Sequence, residues 1–179
     1  MQVDKNHRLL GSNWKPSEHF DDRPKDSLIE LVVVHSISLP EGEFGTGFPE
    51  LLFTGNLDLG ADSSFFDLEG IKVAPHLFID RLGKITQLVS FDKRAWHAGV
   101  SSWRNRPNCN NYSIGLELEG SDNTSYENHQ YQSLREVLSA LFLAYERLSL
   151  ESVVGHSEIS PERKTDPGQY FDWTKLYDR

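Results

Sequence analysis

The run Leu31-Val32-Val33-Val34-His35 is four apolar residues, three of them β-branched, closed by an imidazole. It reads as a buried strand, placed over residues 29–35. A strand that ends on histidine sets the ring at the rim of a sheet. A second histidine closes the short apolar run 153–156 and opens the loop Gly155-His156-Ser157-Glu158-Ile159-Ser160-Pro161-Glu162-Arg163-Lys164-Thr165-Asp166-Pro167-Gly168, which its prolines stiffen and its last glycine punctuates. Two neutral imidazoles, His35 and His156, with the Asp166 carboxylate and a fourth position for water form a ligand set that suits catalytic zinc. Spacing alone carries little weight, because the two histidines lie far apart and match no short zinc pattern. Taken singly, each histidine reads more readily as a hydrogen-bonded structural residue than as a ligand, and Asp166 reads also as a turn residue before Pro167.

The rest of the chain supplies a sheet and a helix around these residues. Residues 72–80 and 84–91 form a hairpin pattern about Arg81-Leu82-Gly83, with Gly83 providing positive φ. In residues 113–119, Ile114, Leu116 and Leu118 share one face and Ser113, Gly115, Glu117 and Glu119 the other. Thr124 and Glu127 have capping-box spacing ahead of the apolar stripe Tyr131, Leu134, Val137, Leu138, Leu141, Phe142, Tyr145 and Leu148, which predicts a core-facing helix. Residues 1–28, broken by Pro16 and Pro24, read as an irregular arm, and residues 39–70 as a long glycine-rich segment on the substrate side. The order of elements predicts an α/β fold, a mixed central β-sheet flanked by helices, in a single domain over residues 1–179.

Composition narrows the function. At 179 residues the chain can bury a core without disulfides or metal as a staple, so a metal here serves function. A formal net charge of -9 argues against nucleic acid, and no apolar stretch approaches the ~20 residues of a membrane helix. A single cysteine, Cys109, and an N-terminus without a secretory pattern favour a reducing, cytoplasmic setting. The partner is a small molecule or a peptide, and no obligate protein partner is indicated.

Four stretches, in order, carry a family resemblance: Val33-Val34-His35-Ser36-Ile37-Ser38-Leu39-Pro40-Glu41-Gly42-Glu43-Phe44-Gly45; Phe91-Asp92-Lys93-Arg94-Ala95-Trp96-His97-Ala98-Gly99-Val100-Ser101-Ser102-Trp103; Cys109-Asn110-Asn111-Tyr112-Ser113-Ile114-Gly115-Leu116-Glu117-Leu118-Glu119-Gly120; and the Gly155 to Gly168 loop. Together they resemble the AmpD family of N-acetylmuramoyl-L-alanine amidases over about residues 14–175. The resemblance implies the zinc-amidase fold shared with phage lysozyme-type amidases and peptidoglycan recognition proteins. It further implies a cytoplasmic enzyme of cell-wall recycling that cuts the lactyl-L-alanine amide of 1,6-anhydro-muropeptides. One Zn2+ per chain is then held by His35, His156 and Asp166, with Glu117 and Lys164 at the chemistry.

In that reading Glu117 relays the proton of water to the departing amine and Lys164 faces the oxyanion. Without the resemblance, Glu117 reads as a solvated strand carboxylate and Lys164 as an ion-pair partner of Glu162 or Glu158. Glu119 shares the face of Glu117, and the family match favours Glu117. On the substrate side stand Ser36, Lys72, Trp96, His97, Arg104 and Arg106; Trp96 and His97 read alternatively as braces for the following turn. Several positions depart from the family pattern: Ser36 replaces an asparagine, Ser64 an aromatic residue for which Phe65 or Phe66 can substitute, and Lys72 and Asn108 two arginines. Arg104 or Arg106 is then placed to compensate. His76 and Cys109 read as structural. Two rival readings are a non-catalytic peptidoglycan-fragment-binding module and a lysin-type amidase acting on intact wall.

Overall fold

The computed structural model describes residues 1–177. In chain order its elements are β1 (Asn13–Trp14), β2 (Phe20–Asp22), β3 (Leu31–Ile37), α1 (Phe48–Phe53), β4 (Leu77–Ile79), β5 (Ile85–Gln87), β6 (Lys93–Ala95), β7 (Ser102–Trp103), β8 (Arg106–Pro107), β9 (Ser113–Glu119), α2 (Asn128–Ala144), β10 (Val153–Gly155) and α3 (His156–Ile159). Six strands form a mixed sheet in the order β1-β5-β4-β9-β3-β10. Within it only β4 and β5 run antiparallel, as a hairpin. Two further antiparallel pairs, β2 with β6 and β7 with β8, stand apart from it.

The apolar run at the start of β3 is continuous because both faces of the sheet are covered, the usual state of parallel strands. On one face Val32, Val34, Ile114, Leu116 and Leu118 pack against Leu134, Val137, Leu138 and Leu141 of α2. On the other, Leu31 and Val33 pack with Cys109, Tyr112, Val154 and Ile159. His35 follows Leu31 and Val33 by strand parity and so faces away from α2. Glu117 does the same on β9.

Several expectations need correction. The polar side of β9 is not a solvated face: all seven residues are buried. Gly115 is required there, since a Cβ on it would lie 2.4 Å from Cγ of His97. The capping interaction falls three residues later than Thr124 and Glu127, with Gln130 Oε1 accepting the Glu127 N–H at 3.0 Å, while Thr124 takes a bond from the Ser121 hydroxyl. The helix stops at Ala144, yet Tyr145 and Leu148 still pack on the core. The hairpin strands are shorter than predicted, with Gly83 at φ +79° in their turn. Residues 1–28 are more ordered than an irregular arm, since β1 joins the sheet and β2 pairs with β6. Residues 39–70 hold α1 and the 3-10 turns Leu59–Ala61 and Ser63–Leu68.

One arm residue locks this arrangement. Arg23 donates through Nη1 to the carbonyls of Asn110 and Asn111 and through Nη2 to those of Phe91 and Ser113. Its burial lowers the guanidinium pKa to about 10. The planar five-donor fork matches this crown of carbonyls in a way an ammonium does not. Arg23→Ala is therefore expected to destabilise the fold by about 3 kcal/mol or more, because buried carbonyls lose their donors, and Arg23→Lys is expected to recover only part of that. Denaturant midpoints read the loss, and a change for Arg23→Ala below about 0.5 kcal/mol, the range of an ordinary surface substitution, would contradict it.

Candidate active site

Strand register assembles the site. β10 runs parallel to β3 with Gly155 opposite Val34, so the next residue, His156, comes level with His35. On the other flank β9 pairs with β3 so that Glu117 stands opposite His35 itself. The Gly155 to Gly168 loop then folds back. Ser157 N–H donates to the Asp166 carbonyl at 3.0 Å, the Tyr126 hydroxyl donates to the Pro167 carbonyl at 2.7 Å, and Glu158 Oε1 accepts the Gly155 N–H at 2.8 Å.

Three donor atoms converge as a result. His35 Nδ1 lies 2.9 Å from His156 Nδ1 and 3.2 Å from Asp166 Oδ2, and His156 Nδ1 lies 3.0 Å from Asp166 Oδ2. Tetrahedral ligands held at about 2.0–2.1 Å from zinc are roughly 3.3 Å apart, so the triangle fits one ion after a small expansion. The far side of the second imidazole supports this. His156 Nε2 is 3.1 Å from the Ala98 carbonyl, which only accepts, so the proton sits on Nε2 and Nδ1 offers a lone pair. Desolvation pushes the pKa of His35 down to about 4 against the pull of Asp166, which keeps that imidazole neutral. Burial works against ionisation of Asp166, but its close contacts with His156 and His35 outweigh it and hold the carboxyl far below its usual range. A neutral His35 and an ionised Asp166 are protonation states that zinc binding requires. Cys109 is buried in the apolar cluster against Tyr112, with Sγ 3.3 Å from the phenol oxygen, and takes no part.

Glu117 and Lys164 line the same cavity of about 280 Å³ as His35, His156 and Asp166. Burial and the neighbouring Asp166 charge raise the Glu117 pKa well above the usual carboxylate value, and the Lys164 ammonium counters them. Glu119 is occupied elsewhere: its oxygens accept the N–H groups of Gly45 at 2.5 Å and Arg81 at 3.1 Å. Glu158 serves the Gly155 N–H and is not the partner of Lys164. A second hollow, of about 460 Å³, is lined by Ser38, Glu41, Ser64 and Asp122, and the two meet at Ser36, Lys164 and Asp166.

The remaining candidates divide. Ser36 lies at that junction, on the walls of both hollows. Lys72 is exposed and adjoins Val73 of the cavity wall. Trp96 stacks on His19 with ring centroids 6.3 Å apart. His97 borders the cavity, but Nδ1 faces His35 Nε2 at 2.9 Å and Nε2 faces Ser113 Oγ at 3.1 Å. Arg104 and Arg106 are not brought to the site. Arg104 stacks on Trp103, while Arg106 stacks on Tyr112 and pairs with Glu30 at 2.5 Å. Glu30 lies roughly 16 Å back from His35 at strand rise, so neither arginine compensates for Lys72 or Asn108. Sequence reasoning assigned no role to Tyr126, Asn110 or Arg163. Each acts on backbone groups of the loops around the site, and no side-chain spacing signals that.

From the triangle of donors, His35→Ala, His156→Ala and Asp166→Ala are each expected to weaken zinc binding by at least about 100-fold, with the fold retained because the core stands on its own. Chelator competition with circular dichroism checks both, and full zinc occupancy in any one variant removes that residue from the ligand set.

Comparison with known proteins agrees with the geometry. The chain matches the family described as N-acetylmuramoyl-L-alanine amidase over residues 25–169. It is 50% identical over 174 residues to the 1,6-anhydro-N-acetylmuramyl-L-alanine amidase AmpD of Citrobacter freundii, spanning 94% of this chain and 92% of that protein. It superposes on the crystal structure of a selenomethionine AmpD derivative with a TM-score of 0.95 at 47% identity, covering 99% of this chain and 98% of that one. The Escherichia coli amidase AmiD, in complex with the substrate anhydro-N-acetylmuramic acid-L-Ala-D-gamma-Glu-L-Lys, matches with a TM-score of 0.63 at 25% identity, covering 90% of this chain and 65% of that one. Because the family match takes in β3 with His35, β9 with Glu117 and the loop with His156 and Asp166, the chain belongs to the N-acetylmuramoyl-L-alanine amidase family.

Proposed function

We propose that the protein is a zinc-dependent amidase that hydrolyses the bond between the lactyl group of muramic acid and L-alanine in soluble (1,6-anhydro)muropeptides, as part of cytoplasmic cell-wall recycling. The observation that carries this reading is the convergence of His35, His156 and Asp166 in one cavity with Glu117 and Lys164. The substrate bound to AmiD contains this linkage, and AmpD relatives named for anhydro-muramyl-L-alanine cleavage span nearly the whole chain. The net charge of -9 fits a small soluble substrate rather than nucleic acid. Among the described residues no helix is long and apolar enough to cross a membrane.

Zinc held by the three ligands supplies Lewis acidity, lowering the pKa of water to roughly 7 and polarising the amide carbonyl. The chain's residues supply the rest. Glu117, beside His35 on the neighbouring strand, accepts the proton of the attacking water and returns it to the alanine nitrogen as the C–N bond breaks. Lys164 presents its ammonium to the carbonyl oxygen as that atom gains charge. A substrate laid across the junction at Ser36 and Lys164 places one arm in each hollow. Lys72, exposed at the rim, is the basic group we assign to a stem-peptide carboxylate. A binding module has no need of the full metal set.

Mass spectrometry of a zinc-loaded digest is expected to show free stem peptide with a new L-alanine amino terminus from a defined anhydro-muramyl tripeptide, and little release from whole sacculi. Faster release from sacculi would favour the lysin reading instead. Glu117→Gln and Lys164→Ala are each expected to lower kcat by about 100-fold or more at unchanged zinc content. Glu119→Gln is expected to lower thermal stability while costing less turnover. If Glu119→Gln were the more damaging carboxylate change at full zinc loading, the roles of the two glutamates would be reversed.

A further inference from the structure

The segment between β6 and β7 passes behind the metal ligands, and two consecutive residues in it each hold one imidazole from its far side. His97 does so with its ring, Nδ1 lying 2.9 Å from His35 Nε2. Ala98 does so with its carbonyl, 3.1 Å from His156 Nε2 and also bonded by Arg163 Nη2 at 2.8 Å. The backbone N–H groups of both residues end on a single atom, Asn110 Oδ1, at 3.2 Å and 2.8 Å. Behind the His97 ring lies Gly115, where no side chain fits.

Proton positions along this strap follow from the partners. The Ala98 carbonyl accepts only, so His156 carries its proton on Nε2. For His35 to turn the lone pair of Nδ1 toward an ion, its own Nε2 must be protonated and must donate to His97 Nδ1. His97 accepts there only as the tautomer protonated on Nε2, and that proton has an acceptor in Ser113 Oγ at 3.1 Å. Were His35 protonated on Nδ1 instead, that hydrogen would project between His156 and Asp166 and close the site to metal. We infer that His97 and Asn110 are positioning residues of the metal centre: through one strap they orient both zinc histidines and set which nitrogen of each faces the ion. His97 therefore acts on the metal ligand rather than on the substrate. The inference rests on the zinc-amidase reading only in requiring that His35 and His156 bind a metal.

Metal affinity separates this role from substrate contact, because losing such an outer partner typically weakens metal binding by about 10- to 100-fold. Zinc-free protein is titrated with zinc alone against a chromophoric chelator, with circular dichroism confirming the fold of each variant. His97→Ala and Asn110→Ala are expected to weaken zinc binding by about 10- to 100-fold. Asn110→Asp, which keeps an oxygen acceptor, is expected to restore affinity to within about threefold. Ser113→Ala leaves the ring in place and removes only its acceptor, and a loss of several-fold there supports the relay even if His97→Ala fails to fold. The inference is overturned if the parent binds zinc and folded His97→Ala and Asn110→Ala bind it within about threefold as tightly. A raised KM at unchanged zinc affinity overturns it as well and returns His97 to the substrate side. A parent protein that binds no zinc overturns both the zinc-amidase reading and this inference.

Discussion

Parallel pairing of β3 with β9 on one side and β10 on the other is the constraint from which the site follows. The register sets His35 opposite Glu117 and brings His156 level with His35, so two metal-binding rings and a carboxylate reach one rim from residues remote in sequence. Parallel strands require long crossovers, and the chain uses them. α2 connects β9 to β10 and covers one face, while the segment from α1 to β8 separates β3 from β9, adds β4 and β5 to the sheet and brings Ala98 onto the other face. A one-residue slip of β9 would turn Glu117 into the α2 core and place Leu116 or Leu118 at the rim. The apolar set of β9 packed on α2 thus fixes the position of the carboxylate that faces the cavity.

Burial then sets protonation. Removing His35 from water disfavours its charged form, while Asp166, between two imidazoles, is held as an anion. A water-filled cleft would do neither as strongly, because solvent stabilises every charge state. The two glutamates of β9 show how one strand face serves two ends. Glu119 binds backbone N–H groups of the 39–70 segment and the hairpin turn, whereas Glu117, one residue pair earlier, opens onto the cavity. Arg23 stabilises the same region from outside by tying the arm to the carbonyls ahead of and at the start of β9.

Much of this arrangement is legible in the chain. The limits of β9 coincide with the alternating run, and β3 carries an apolar run too continuous for a half-exposed strand. The same alternation misleads about environment, because a central strand covered on both faces buries its polar side too. β1 and β2 leave no signal, since two or three residues carry no period and their pairing comes from the strands they meet. At the site, a histidine closing each apolar run and an aspartate in a stiffened loop are recognisable by residue type, and the structure brings them together, although β3 continues past His35 to Ile37. Arg104 and Arg106 show the opposite case: a charge near a motif does not reveal its direction, and theirs is fixed by Trp103, Tyr112 and Glu30. Asn110 and Tyr126 are illegible for a different reason, since their partners are backbone atoms that every residue possesses.

The central claim is a metal centre made from His35 Nδ1, His156 Nδ1 and the Asp166 carboxylate, and zinc-edge X-ray absorption on the zinc-loaded protein tests it most directly. The account predicts one zinc per chain with two imidazole nitrogens and oxygen ligands at about 2.0–2.2 Å and no sulfur. A sulfur scatterer at about 2.3 Å, or a shell without imidazole, would contradict it.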